Sequence, residues 1–141
     1  MDGSMYLGFT NGASRHTQNL ASIAWVIHYP YGHLLVARGI CIGPTSKNIA
    51  KYNVVINLLY EAIYYGIESL MVYLDSQLVV SQLNNVYHVR DPSLHRQFFR
   101  VILLQRSFTS IIFIDIPQSN NAFVDSIANQ VLDWHINHSS H

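Results

Sequence analysis

The sequence predicts an α/β domain: a mixed five-stranded sheet, its first three strands antiparallel, with helices on both faces. Three observations carry this. Three short apolar runs, each closed by turn residues, fill the first 42 positions. From Asn48 the apolar period lengthens from that of a strand to that of a helix. Beyond it, strand-like runs at Met71–Leu74 and Ser110–Ile116 are each followed by helical patterns, as in strand–helix crossovers.

The elements follow in order. Tyr6-Leu7-Gly8-Phe9-Thr10 reads as a first strand, ended by Asn11-Gly12-Ala13-Ser14 and a polar loop to Asn19. Ala21 to His28 is a second, with Ile23, Trp25 and Ile27 alternating against Ala24 and Val26. Tyr29-Pro30-Tyr31-Gly32 is a turn, and Leu34 to Ile42 a third strand. After Gly43-Pro44-Thr45-Ser46, a helix from about Asn48 places Ala50, Val54, Leu58 and Ala62 on one side, and Gly66 stops it.

Met71, Val72 and Leu74 form a fourth strand that delivers Asp75. Ser76 can cap the short helix that Leu78, Val79 and Leu83 continue to Asn84-Asn85. Asp91-Pro92 opens a helix to about Arg106, with Leu94, Phe98 and Val101 inward. Ser110 to Ile116 is the fifth strand, ended by Pro117, and a last helix runs from about Asn121 to Ile136. The domain is expected to span 5–136, with a tail at 137–141. Right-handed crossovers then set the ends of the first and fourth strands side by side, so Asn11 and Asp75 are expected to be neighbours. That edge is where open α/β sheets place their chemistry.

Composition narrows the partners. Of 141 residues, 50% are hydrophobic and only 11% charged, so the surface is expected either to be rich in Tyr, Asn, Gln, Ser and His or to be covered in part by a protein partner or a second copy. Lys plus Arg and Asp plus Glu are both 8, and a neutral chain is not a non-specific nucleic-acid binder; contact with nucleic acid has to come from a local site. The single Cys41 excludes a disulfide framework and a Cys-rich zinc site. No signal peptide or membrane span is expected, since Asn53, Asn57, Glu61, Gly66 and Glu68 interrupt the most apolar stretch; an intracellular protein, cytoplasmic or nuclear, is the default.

Four short motifs in order then carry a resemblance. They are Tyr6 to Ser14, Ser46 to Tyr52, Asp75-Ser76-Gln77-Leu78-Val79-Val80 with Gln82, and Ile116-Pro117 with Asn121, Asp125 and Ala128-Asn129. Asp91-Pro92 lies between the last two. From Met5 to Leu132 the chain resembles a ribonuclease H domain, of the compact kind found in archaeal-type enzymes and plant retroelement polyproteins. The resemblance implies metal-assisted hydrolysis of the RNA strand of an RNA/DNA hybrid, with Mg or Mn held by four carboxylates. Two metal ions need several anionic oxygens around them, one ion to activate water and one to stabilise the leaving oxygen.

Asp75 and Asp125 match two of the four acids. The other two positions hold Asn11 and Lys51. A site expected to carry about −4 then carries about −1. Lys51 is expected to pair with Asp75 or Asp125 as a countercharge that replaces the metal. Metal binding at Asp75 and Asp125 is therefore expected to be weak or absent. Glu61 lies about 15 Å further along the helix and cannot stand in for the missing acid. Asp115 reads as a strand-end carboxylate. Asp2, before Gly3-Ser4, has no strand leading into it.

The resemblance also implies that Asn48, Ser76, Gln77 and Asn121 contact the groove of an A-like duplex, where 2′-hydroxyls are exposed. Arg96 and Arg100, with Arg90, Lys47 and Lys51, are candidates for phosphates. His135, His138 and His141 read as a polar tail rather than a zinc site. Ser14, His28 and Asp75 lack the strained turn of a nucleophile. The expected function is engagement of RNA-containing duplexes, hybrid or double-stranded RNA, with cleavage lost or much weakened. The alternative is an unconventional metal-dependent ribonuclease using Asp75 and Asp125.

Overall fold

The structure is a computed structural model and describes residues 4–138; Asp2 and His141 lie outside the described residues. Its elements are β1 Tyr6–Arg15, β2 Leu20–His28, β3 Leu34–Cys41, α1 Lys47–Tyr64, β4 Ser69–Leu74, α2 Gln77–Leu83, α3 Pro92–Gln105, β5 Ser110–Asp115 and α4 Ala122–His138, with a 3-10 turn at Gln118–Asn121. The sheet order is β3-β2-β1-β4-β5. β1, β2 and β3 are antiparallel, and β4 pairs parallel with both β1 and β5. This is the mixed five-stranded sheet that the alternation and the crossovers predict.

One boundary differs in a way that matters. Asn11 to Ser14 do not end β1. The strand runs on to Arg15, each residue paired with β2 as far as Arg15 opposite Leu20. Cross-strand pairing overrides the turn propensity of Asn-Gly here. The reversal comes later, at His16–Asn19, where Asn19 takes a φ of 54°. Asn11 is therefore a strand residue and not a mobile loop residue. The last helix likewise runs two residues past the expected Ile136.

Alternation along β2 sorts the core into two layers. Ile23, Trp25 and Ile27 join the large cluster built with α1, α2 and α3. Ala24 and Val26 face the other way, against Val124 and Ala128 of α4. Close approach is enforced by two glycines. A Cβ on Gly8 would lie 2.8 Å from Leu58 of α1, and one on Gly39 would lie 2.7 Å from Val131 of α4.

The helix starts follow the sequence. Ser46 accepts from the Ile49 N–H, Ser76 from Val79, and Asp91 from Ser93 with Pro92 just inside. Tyr52 of α1 is fully buried, and its hydroxyl donates to Gln82 Oε1 of α2 at 2.6 Å. This bond ties the helix before β4 to the helix after it.

Tyr52→Phe removes that donor and leaves the Gln82 oxygen buried and unpaired. The expected loss is about 1–3 kcal/mol in urea denaturation at pH 7. Burial also pushes the Tyr52 phenol up to about 12. Above the ordinary value of about 10 the unfolded chain ionises first, so this tyrosine's contribution is intact below pH 10 and is lost as pH rises toward 12. Tyr52→Phe should flatten that alkaline limb. An unchanged limb in the variant would count against the assignment.

Candidate functional site

β1 and β4 run parallel with Phe9 opposite Tyr73. Two residues further on, the chains present Asn11 and Asp75. Thr10 reinforces this pairing, its hydroxyl donating to the Tyr73 carbonyl at 3.1 Å. α4 brings Asp125 in from the other face, and α1 brings Lys51. All four line one cleft of about 420 Å³, with Lys47, Gln118 and Asn129 also on its walls. The expected neighbourhood of Asn11 and Asp75 is met.

Within the cleft the contacts differ from the expected Lys51 ion pair. Asn11 is 5% exposed, and its Nδ2 donates to Asp125 Oδ1 at 2.6 Å. The Gly12 N–H donates to Asn11 Oδ1 at 2.9 Å, which fixes which end of the amide faces the carboxylate. The partner of Asp125 is thus an amide. Lys51 lines the cleft and forms no ion pair among the described residues, where the pairs are Arg15–Asp133 and Arg38–Glu61. Lys51 acts on Asp75 through space. Burial pushes the Asp75 carboxyl above its ordinary value. The Lys51 charge opposes this, as do the Asp75 backbone N–H and the Asn121 amide, while Asp125 adds to the rise.

The other candidates divide between surface and interior. Gln77, Arg90 and Arg96 are exposed, and Asn48 is half-buried at the start of α1. Arg100 is exposed but engaged, its Nη2 donating to the Tyr60 hydroxyl with the guanidinium over the Tyr60 ring. Ser76 is buried and committed to its helix cap. Asn121 is 2% exposed and donates to the Thr10 carbonyl at 2.9 Å, anchoring the approach to α4 against β1. Glu61 accepts from Trp25 and Arg38. Asp115 is exposed at the end of β5. His28 faces Gly32 and Phe9, so the Ser14, His28 and Asp75 trio is not brought together. His138 stacks on Trp134.

Sequence reasoning missed Gln118 and Arg15. Gln118 reaches the cleft from the 3-10 turn. Arg15 bonds Asn129 and Asp133 of α4. The Arg15 contacts were hidden by reading β1 as ending at Thr10. Among the described residues no group of three or more His, Cys, Asp or Glu is placed to hold a metal ion.

Residues 9–131 match the model of the family described as reverse transcriptase-like. The chain is 30% identical over 131 residues to ribonuclease HI of Halobacterium salinarum, covering 93% of this chain and 66% of that protein. The crystal structure of RNase H1 from that archaeon superposes with a TM-score of 0.86, covering 92% and 98% of the two chains at 30% identity. The N-terminal RNase H domain of Rv2228c from Mycobacterium tuberculosis gives 0.89 at 25% identity, covering 97% and 99%. LC11-RNase H1, solved in complex with an RNA/DNA hybrid, gives 0.85 at 28% identity, covering 93% and 99%.

Asn11→Asp exchanges the 2.6 Å amide–carboxylate bond for two facing carboxylates. The expected cost at pH 7 in chelator is at least about 1.5–3 kcal/mol, read by thermal melting. Part should return in acid, where the two facing carboxyls can share a proton. Equal stability of parent and variant at both pH values would refute the bond's role.

Proposed function

We propose, for a chain that belongs to the reverse transcriptase-like family and carries a ribonuclease H domain, that it grips RNA-containing duplexes without ordinary two-metal cleavage. The observation that carries this reading is the Asn11 amide N–H directed at Asp125. Mg or Mn, the ions the family implies, need anionic oxygens converging on one point. Here one of the candidate oxygens accepts a hydrogen bond from an amide, and an ammonium shares the cleft. The donor set does not fit a pair of divalent ions, so no step is routed through them.

Duplex binding is supported by the likeness to LC11-RNase H1, which was solved with an RNA/DNA hybrid. Lys47, Asn48 and Gln77 lie at the starts of α1 and α2, and Arg90 and Arg96 lie near the start of α3. These side chains are free to meet phosphates and 2′-hydroxyls. The chain spans 66% of the length of its archaeal relative, so this reading concerns the domain.

Contact with a protein is a second reading, favoured by Phe99 and Leu103. They are 59% and 58% exposed, one turn apart on α3. Arg96 and Arg100 flank them. A symmetric contact between two copies through this face would oppose like charges, so an acidic partner suits it better than a second copy.

The test uses labelled RNA/DNA hybrid and double-stranded RNA, with Mg²⁺ or Mn²⁺, beside Asp75→Ala. Binding is expected, with cleavage no faster than in that variant. Combining Asn11→Asp with Lys51→Glu should raise metal-dependent cleavage at least about 100-fold over the parent. Parent cleavage that needs metal and is lost in Asp75→Ala would establish the unconventional nuclease instead.

A further inference from the structure

The cleft holds two ammonium groups, Lys47 and Lys51, and two carboxyl groups, Asp75 and Asp125. Their formal charges sum to zero, but none of the four is held in an ion pair among the described residues. Asp125 instead accepts from the Asn11 amide at 2.6 Å. Lys51 sits in the second turn of α1, half-buried, and lines the cleft. An ammonium carries three donors, and Lys51 spends none of them in an ion pair among the described residues. The cleft at the end of the central strands is therefore lined by a lysine held in no ion pair among the described residues.

We infer that Lys51 takes a phosphate oxygen of the bound duplex directly, so that the grip needs no divalent cation and is weakened by one. This rests on the duplex-binding reading. The sign of the cation effect follows from the donor set. In a cleft walled by carboxylates, a divalent ion bridges protein and phosphate, and adding it strengthens binding. In a cleft that offers an ammonium, the same ion competes with the lysine for the phosphate and is one more counterion to displace. Divalent ions and protein become rivals.

The experiment measures fluorescence anisotropy of a short labelled RNA/DNA hybrid at fixed ionic strength, in EDTA and in Mg²⁺, with the full chain and its variants. The parent is expected to bind more tightly in EDTA than in Mg²⁺, and equal binding would overturn the rivalry. Lys51→Ala should bind several-fold more weakly and lower the slope of log affinity against log salt by about 0.9, the value of one phosphate contact. Alanine favours the helix, so the variant keeps α1. Lys51→Arg should restore the slope. Asn11→Asp with Lys51→Glu should reverse the sign, so that Mg²⁺ tightens binding.

If the hybrid binds but Mg²⁺ tightens the parent, or Lys51→Ala leaves the slope unchanged, the lysine contact is wrong and duplex binding stands. If neither hybrid nor double-stranded RNA binds at low salt, the duplex reading itself falls and the lysine contact falls with it.

Discussion

The site depends on the parallel pairing of β1 with β4. That ladder lies at the centre of the sheet and fixes where both strands end. Gly8 allows Leu58 of α1 to press against β1 from one face. Phe9 stacks on Tyr73 from the other. A slip of one residue would exchange those faces, put Phe9 where Gly8 makes room for α1, and separate Asn11 from Asp75. Core packing and site geometry thus share one register.

Four side chains from four elements meet at that edge, and what they do is set by charge. Asn11 comes from β1, Asp75 from the bend just after β4, and Lys51 and Asp125 from helices on opposite faces. Such a junction of rigid elements holds its groups in place better than a loop would. Acids at all four positions would gather negative charge there. With an amide and an ammonium there, the same scaffold holds a nearly balanced set of polar groups.

Much of this was legible in the residues. Asp75 is announced by an apolar run that stops at a carboxylate and restarts as a capped helix. The sheet order follows from three alternating strands and two crossovers. The failures have a common cause. Asn11-Gly12 was read locally as a break, while pairing with β2 through Arg15 makes it strand. Local propensity is weaker than a ladder with both faces covered. Repulsion between two nearby carboxylates predicts an ion pair for Lys51, but Asp125 accepts from the neutral amide of Asn11 instead. The burial of Ser76 and Asn121 could not be read from their types, since a polar residue in a site motif can serve the fold as readily as a ligand.

The two exchanges also answer different electrostatic problems. A carboxylate at position 11 would be almost fully buried beside Asp125. Without a cation between them such a pair carries a desolvation cost as well as repulsion, together several kcal/mol. The Lys51 charge acts on Asp75. The amide of Asn11 avoids that cost by donating to Asp125 while its own oxygen accepts from Gly12. Each remaining acid thus has its own compensating neighbour. Asn11 without Lys51 would leave Asp75 with burial and no cation. Lys51 without Asn11 would leave a repelling pair. The site is self-consistent with both, its two acids set against one amide and one ammonium.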